Sequence, residues 1–462
     1  MRLGSLRSSL LWAAVGGVPL AAGAVEPATP ESRIQELEAK VTALEAKQAA
    51  NSKDLADTVD SVLRDAERRS QLLANSGDAS AGYDNGFFIR AGDAWVLRPG
   101  AQFQFRNITN FREEAKADGD SDIENGFEIR RMRFELAGTA LSKDLAYLFM
   151  WETARDSGQV SLLDAWARYS FADDWGVRVG QFKDLVTHEF LMSSKRQLAV
   201  DTSLVDSLIG GGVTGYTQGA TLIYGGYNKN NPLNIEAAIT DGANQANTDF
   251  TGRTDFASAV PKPHTFDFGI AGRAEYKLFG DWKSYGDFTA KGNKEDLLVL
   301  GTGGDWSQGG DGNQIIGTAD IQYENASGFG AYGALLARNT NADLTGSSGD
   351  ATDWGGLVQA SYLLSSQWEV FGRYDVTFYD NGASLKRAGV STGDVQDAFS
   401  EITVGVNYYL GADGSAGHRA KFTVDLSYLP DGAPKAVTGL GILDNNNGEA
   451  EWVLRAQFQL LI

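Results

Sequence analysis

The sequence predicts an all-β fold, a sixteen-stranded antiparallel transmembrane β-barrel preceded by a short N-terminal coiled-coil helix. Three observations lead to this prediction. From about residue 86 onwards, apolar and polar residues alternate in sixteen runs of about ten residues. Short links between these runs alternate with longer polar ones. After residue 24, no window approaches the ~20 consecutive apolar residues that a membrane-spanning helix needs.

The composition narrows the class of protein before any motif is considered. The 462 residues include 55 Gly, only 9 Pro, 11% aromatic residues and no Cys. Many Gly and aromatic residues suit a fold with many short strands and turns better than a disordered chain. The missing Cys excludes disulfides and thiol chemistry. A formal net charge of -20 and a pI near 4.6 argue against nucleic acid as the main partner.

Residues 1–24 are expected to be a secretory signal peptide. Arg2 and Arg7 supply the positive start, residues 9–23 the apolar stretch, and 22–24 an A-x-A cleavage site. The alternative is a membrane anchor helix, but Gly and Pro residues interrupt the stretch, which is also short for a span.

Residues 31–72 are expected to form a periplasmic coiled-coil helix. This stretch contains no Gly, Pro or aromatic residue. Its apolar seam has the 3-4 spacing of a coiled coil at Ile34, Leu37, Val41 and Leu44. Polar residues interrupt the seam further on, so a single solvated helix or a flexible tether is the alternative. Residues 73–93 are interpreted as a linker to the barrel, which takes up 94–462.

Sixteen strands are predicted in the barrel part. They lie near 94–107, 127–139, 143–154, 159–171, 175–184, 216–225, 233–241, 265–277, 294–304, 312–323, 329–338, 353–363, 367–377, 399–410, 418–428 and 450–461. Two links depart from the short–long alternation: 305–311 is brief, and 278–293 is too long for a tight turn. An even number of strands with loops sorted by length is typical of an outer-membrane barrel. A soluble β-sandwich or propeller is the alternative, but neither has a reason to sort its loops.

The stretch "NGFEIRRMRFELAG" at 125–138 carries three arginines within one predicted strand. In a barrel, its apolar residues Met132, Phe134 and Leu136 face lipid, while Arg131 and Arg133 face a water-filled lumen. Arg130 breaks the alternation. It therefore marks either a β-bulge or a register that is wrong by one residue.

The region around this strand is locally rich in basic residues. Between residues 128 and 197 the ten Lys and Arg equal the ten Asp and Glu in number. Four arginines fall on predicted inner faces of three strands: Arg131, Arg133, Arg168 and Arg178. Such a row in a narrow pore would concentrate anions and could bind phosphate oxygens. The alternative is a charge-balanced wall in which these arginines pair with neighbouring carboxylates such as Asp164, Glu135 and Glu152.

The longest link, 185–215, is predicted to fold inward and constrict the channel. It carries apolar residues that are unusual in a solvated loop, among them Leu191, Leu198 and Leu204. An inward loop would bring Lys195 and Arg196, with Asp201 and Asp206, to the constriction, where charge sets selectivity. The alternative is a loop that packs outward against a neighbouring subunit.

Three segments of the chain resemble the phosphate-selective porin family, the porins O and P. They are "FEIRRMRFELAGTALSKDLAYLF", "LLDAWARYSFADDWGVRVGQFKD" and "EFLMSSKRQLAVDTSLVDSLI". The matching positions are Arg131, Arg133, Lys183, Ser193 and Ser194. Seven basic residues are therefore expected to line the pore and set its selectivity: Arg131, Arg133, Arg168, Arg178, Lys183, Lys195 and Arg196. The resemblance implies a sixteen-stranded trimeric pore in the bacterial outer membrane. At 210–212 the chain has three glycines where the family's pattern has an arginine.

The function expected from the sequence is passive, charge-selective diffusion of small hydrophilic solutes or ions, with anions such as phosphate as candidates. The alternative is a non-transporting structural protein or adhesin tethered to the cell wall through the coiled coil. A secreted, soluble β-protein is a third hypothesis. The three histidines and the carboxylates form no catalytic or metal-binding motif, so we expect no enzyme activity, cofactor or metal. The expected partners are the lipid bilayer and two further copies of the chain.

Overall fold

The computed structural model describes residues 34, 35, 37–43, 60, 61, 64, 79–84, 86–115, 121–248, 266–310, 312–341, 350–380, 397–443 and 449–462. The chain divides into two units, Met1–Ser76 and Gly77–Ile462. In the first unit every described residue is helical. The predicted signal peptide and most of the predicted coiled coil lie outside the described residues. No helix in the described ranges has the length and apolar character needed to cross a membrane.

Sixteen antiparallel strands of the second unit form a closed barrel, as predicted. Each of these strands pairs with its neighbours in sequence, and the last, Glu451–Leu461, pairs with the first, Trp95–Arg112, to close the sheet. The strands are β3 Trp95–Arg112, β4 Ile123–Ala140, β5 Ser142–Thr153, β6 Val160–Ala172, β7 Trp175–Lys183, β8 Tyr216–Tyr224, β9 Leu233–Thr240, β10 Phe268–Phe279, β11 Leu297–Gly309, β12 Gly312–Glu324, β13 Phe329–Thr340, β14 Ala351–Leu363, β15 Trp368–Phe378, β16 Ala398–Tyr409, β17 Ala420–Leu429 and β18 Glu451–Leu461.

A short hairpin precedes the barrel within the stretch interpreted as a linker, so the linker prediction for 73–93 is wrong over this part. It consists of β1 Ala79–Tyr83 and β2 Phe87–Ala91. β2 pairs with residues 95–97 of β3, below the point where β18 ends opposite Gln102. The hairpin therefore extends the sheet beneath the C-terminal strand. Its apolar residues at 87–89 flank a Gly-containing turn, a hairpin signal that the sequence analysis missed.

The alternation of side chains separates an apolar outer surface from a polar lumen. Phe134 and Leu335 are 46% and 69% exposed on the outside, whereas Arg131 and Gln104 are buried inside. Aromatic pairs occur at both ends of the strands, among them Trp368–Tyr408 and Trp354–Phe378. A lipid-facing band bounded by aromatic residues is the arrangement of an outer-membrane barrel.

The register of β3 and β4 shows why Arg130 breaks the alternation. Gln104 of β3 lies opposite Arg131, and the next residue, Phe105, lies opposite Ile129. Arg130 is therefore the extra residue of a β-bulge, which re-aims a side chain without shifting the rest of the strand. As predicted, Met132, Phe134 and Leu136 lie on the outer face.

The links sort by end, with two exceptions that the sequence indicated. The links after even-numbered strands from β4 to β16 share one end, and most are short. At the other end the link between β11 and β12 is brief, since β11 ends at Gly309 and β12 begins at Gly312. The second exception is the long link 280–296, which occupies the lumen. It turns inward, where Tyr285 and Phe288 are buried. Tyr285 stacks on His188 with ring centroids 4.0 Å apart, and Thr289 donates a 2.6 Å hydrogen bond to Glu369 of β15.

Candidate constriction site

Residues 184–215, which we call the constriction loop, lie inside the barrel between β7 and β8. The loop contains three short helices, α1 His188–Leu191, α2 Leu204–Ile209 and α3 Gly211–Thr214. Thr187 caps α1 and Ser203 caps α2, each accepting a hydrogen bond from the backbone three residues on. At the base of the loop, the Asp184 amide donates to the Gly215 carbonyl at 3.0 Å.

One side of the loop packs against the inner faces of β13 to β17. Leu204, Val205 and Ile209 are fully buried in a cluster that includes Leu336 and Phe399. The apolar residues that the sequence analysis singled out in this loop thus contact the barrel wall. An outward-packed loop is not what the structure shows, because these contacts lie on the lumen side.

Wall carboxylates also bind the backbone of the loop. Asp375 Oδ1 accepts a 2.9 Å hydrogen bond from the Val205 amide, and Glu401 Oε2 accepts one of 3.2 Å from the Leu204 amide. These two amides are in the first turn of α2, whose free N–H groups favour negative charge. The buried acids of β15 and β16 therefore serve to hold the loop.

The opposite side of the loop meets the arginines of β3 and β4 through Asp201. Asp201 Oδ2 accepts hydrogen bonds from Arg106 Nη1 at 2.9 Å and Arg130 Nε at 2.7 Å. Asp201 Oδ1 accepts from Arg131 Nη2 at 2.7 Å. Only the bulge at Arg130 makes this arrangement possible, because two consecutive residues of a regular strand point to opposite faces.

Arg133 and Lys183 lie beside this cluster. Arg133 forms a two-pronged ion pair with Glu152, at 3.1 and 3.2 Å, and donates a 2.8 Å hydrogen bond to Ser194 Oγ. Lys183 Nζ donates to the carbonyl oxygens of Phe190 and Met192 at 2.6 and 3.0 Å. The loop thus contacts both cations, Arg133 through a side-chain hydroxyl and Lys183 through backbone carbonyls.

A cavity of about 260 Å³ lies between these groups and neighbouring residues of the loop, and both line it. Its charged lining comprises four cations, Arg130, Arg131, Arg133 and Lys183, and three carboxylates, Glu152, Asp201 and Asp206. Uncharged polar groups from Ser194, Gln197, Thr202, Ser207 and Tyr216 complete much of the wall. The cavity therefore carries a small positive excess and can accept a hydrated anion.

The glycines at 210–212 are explained by packing. A β-carbon on Gly211 would lie 2.1 Å from Cβ of Phe190, and one on Gly212 would lie 2.6 Å from Cα of Ser207. The close approach of α1, α2 and α3 thus leaves no room for a side chain. An arginine at these positions is incompatible with this loop conformation.

The remaining predicted selectivity residues lie away from the cavity. Arg168 and Arg178 are cross-strand partners, and Arg178 pairs with Glu236 at 2.8 Å. Lys195 pairs with Glu135 at 2.5 Å, and Arg196 Nη1 donates to the Gly286 carbonyl at 3.0 Å. The cavity thus brings together Arg131, Arg133 and Lys183 from the predicted set of seven, and adds Arg130.

The sequence did not single out two residues that the structure places beside Asp201, Arg106 and Glu128. Arg106 lies on the inner face of β3, and Glu128 pairs with it at 2.5 Å. The alternation of Gln102, Gln104 and Arg106 was a usable signal for Arg106, since all three are buried on the lumen side. Asp201 was expected near the constriction, but nothing in the sequence indicated that it would bridge three arginines.

Electrostatics distinguish the buried carboxylates of the loop. Burial alone would raise the pKa of Asp201, but Arg130, Arg131 and Arg106 outweigh burial and hold that pKa well below its usual range. Burial, together with the nearby Asp206, raises the pKa of Glu189 to about 7. Asp201 is therefore ionised at neutral pH, whereas Glu189 gains or loses its proton near pH 7.

Comparisons with known proteins bear on the family and the fold of this chain. Residues 102–416 match the family described as phosphate-selective porin O and P. The fold is similar to that of the anion-selective porin from Comamonas acidovorans, with 13% identity, 79% of this chain and 99% of that chain covered, and a TM-score of 0.50. It is also similar to OprB of Pseudomonas putida, in its high-pH structure, with 10% identity, 79% and 94% covered, and a TM-score of 0.52.

A search of curated proteins found no match. At such low identities the solved structures show a shared barrel fold and no more. The family match, by contrast, covers more than half of the chain, including β4, the constriction loop and the inward link 280–296. The chain therefore belongs to the phosphate-selective porin O and P family, whose members are channels in the outer membrane of bacteria.

Proposed function

We propose that this channel passes small anions in preference to cations, with the cavity beside the constriction loop as its filter. The observation that carries the proposal is the excess of cations over carboxylates around a cavity of about 260 Å³. Side-by-side guanidinium groups at Arg130 and Arg131 can offer several N–H donors to one oxyanion, and phosphate is a candidate solute.

The close pairing of the arginines limits this preference. Arg133 is bonded to Glu152, and Arg130 and Arg131 share Asp201. The two alternatives drawn from the sequence, a row of arginines in the pore and a charge-balanced wall, therefore each describe part of this wall. The arginines face the lumen, and carboxylates compensate most of their charge. We propose a moderate anion preference, in which anions pass through and are not trapped.

Planar-bilayer recording in a KCl gradient tests this proposal. We expect the sign of the reversal potential to show that chloride permeates more readily than potassium. In each of the variants R131Q and R133Q the anion-to-cation permeability ratio should fall by roughly twofold to fivefold. Loss of a positive charge beside a narrow path makes that path less favourable for chloride and more favourable for potassium. R90Q is the matched control, since Arg90 is exposed on the β1–β2 hairpin. A cation-selective wild type would contradict the proposal.

One observation favours the alternative of a plugged, non-transporting barrel. The constriction loop, link 280–296 and part of link 430–450 all enter the lumen, where Leu440 and Ile442 join the loop's apolar cluster. Liposome swelling with small sugars and salts distinguishes the two functions. Swelling at rates that decrease with solute size supports the channel, and its absence in folded protein supports the plugged barrel.

We also propose the assembly and topology that accompany this function. The family resemblance supports a homotrimer, and the helical residues described between 34 and 64 support a periplasmic coiled coil. That helix could contact the cell wall, and residues 1–24 would be removed on export. The mass of the folded protein in detergent, with and without residues 31–72, tests the trimer and the contribution of the helix.

A further inference from the structure

Asp201 occupies an unusual position between the two sides of the lumen. Its side chain is 2% exposed and contacts three arginines, Arg106, Arg130 and Arg131. Its backbone carbonyl accepts a 2.9 Å hydrogen bond from Arg373 Nη1 of β15, on the other side. The segment 200–202 therefore crosses the lumen, and Asp201 is its attachment to β3 and β4.

The charge balance around Asp201 leaves guanidinium groups in excess. Arg106 also contacts Glu128, which in turn pairs with Arg155 at 3.2 Å. Within this group of six side chains there are two more positive than negative charges. Arg130 and Arg131 are 14% and 8% exposed in their side chains, and both line the cavity. Arg130 donates to Asp201 through Nε and Nη2, and Arg131 donates to it through Nη2. Asp201 thus occupies three of the N–H donors that these two arginines could offer to a passing anion.

We propose that Asp201 is the residue that restrains the anion selectivity of the constriction, by neutralising and positioning Arg130 and Arg131. This inference rests on the proposed anion preference and deepens it. Asp201 acts as a built-in competitor for the donors that an oxyanion in the cavity would use. Removal of its charge leaves the same donors in place and makes them available to the solute.

The variant D201N tests this role, because it removes one charge with little change in volume. We expect the anion-to-cation permeability ratio in KCl to rise roughly threefold to tenfold, on Coulombic grounds. Inorganic phosphate, added as a probe, should block the chloride current at a correspondingly lower concentration than in the wild type. An unchanged ratio and an unchanged phosphate block in folded D201N would overturn the inference.

The chain offers a matched control in Asp206. This carboxylate lies on the same loop, lines the same cavity and is buried, but it accepts hydrogen bonds from Thr187 Oγ1 and the Gly211 amide and, among the residues that the structure describes, from no arginine. If D206N raises the ratio as much as D201N does, the effect comes from loop charge in general and the specific role of Asp201 is wrong.

Two further variants separate selectivity from loop loosening. D201N/R130Q restores the charge balance, and its ratio should return towards the wild-type value. A loop that merely loosens would raise the conductance of both ions and lower selectivity, the opposite of our expectation, and would count against the inference. If D201N does not fold, D201E replaces it. D201E should keep the wild-type ratio, while R130Q in the wild-type background should lower it.

The proposed function and this inference can fail separately. A wild-type channel without anion preference contradicts the proposed function, whatever the variants do. An anion-selective wild type whose selectivity D201N leaves unchanged contradicts only the role of Asp201.

Discussion

The two sides of the lumen contain the same residue types but use them differently. On the side of β3, β4 and β7, which we call the basic wall, Arg130, Arg131 and Lys183 line a cavity. On the side of β13 to β17, which we call the packed wall, Arg338 and Arg373 are buried among carboxylates and carbonyls of the constriction loop. The difference is the constriction loop, which covers one wall and leaves a gap at the other.

This comparison shows that an arginine on an inner face is not in itself a selectivity residue. Where a loop covers the arginine, its N–H groups are consumed by carbonyls and carboxylates, and it supports the fold. Where a gap remains, the same group lines the cavity. The predictions below test this division by comparing one wall with the other.

The largest effect is expected from R373A on the packed wall. Arg373 contacts the carbonyls of Asp201 and Thr202 and the side chain of Glu401, and both Asp201 and Glu401 are buried. Its loss leaves buried carboxylates uncompensated, which should lower the free energy of unfolding by about 3–5 kcal/mol. Urea unfolding of the detergent-folded barrel measures this. R130A on the basic wall is the comparison, and an equal loss there would refute the division.

A somewhat smaller loss is expected from L204A in the loop. Leu204 is completely buried in the cluster between α2 and the packed wall. Truncation of a buried leucine typically lowers the free energy of unfolding by about 2–5 kcal/mol. Because the loop would detach from its wall, single-channel conductance should also become noisier. L364A is the control, since Leu364 is 62% exposed in a turn. Wild-type stability and conductance in L204A would show that the loop does not depend on this contact.

The smallest effect is a pH dependence of the loop. Burial and Asp206 raise the pKa of Glu189 to about 7, and burial raises that of Asp287 in link 280–296 to about 7. In the folded state these groups hold protons that the unfolded chain has released, so stability is greater at low pH and falls as pH rises towards 7. The unfolding midpoint should be higher at pH 5.5 than at pH 8.

The variant E189Q checks the origin of this dependence. Glutamine mimics the protonated acid, so the difference between pH 5.5 and pH 8 should shrink. Asp201 contributes nothing in this window, because its low pKa keeps it ionised throughout. A pH difference as large in E189Q as in the wild type would assign the effect to other groups, Asp287 first.

The predicted selectivity residues show how far sequence reasoning reached. Arg131 and Arg133 were placed correctly on the lumen side because the alternation in β4 is regular from Arg131 onwards. Arg130 was left open between a bulge and a wrong register, since a bulge is visible only against the partner strand. Arg168 and Arg178 have the same pattern as Arg131, yet they lie outside the cavity because the loop does not reach them.

Alternation of period two and the sorting of links by length determined the barrel, its sixteen strands and the orientation of their faces. Both are local patterns, written within ten or twenty consecutive residues. The proposed filter was decided by tertiary structure alone. Asp201 contacts Arg130 across 71 residues and Val200 contacts Asp425 across 225. Which arginines line the cavity depends on where the loop packs, and such long-range contacts leave no periodic pattern in the sequence.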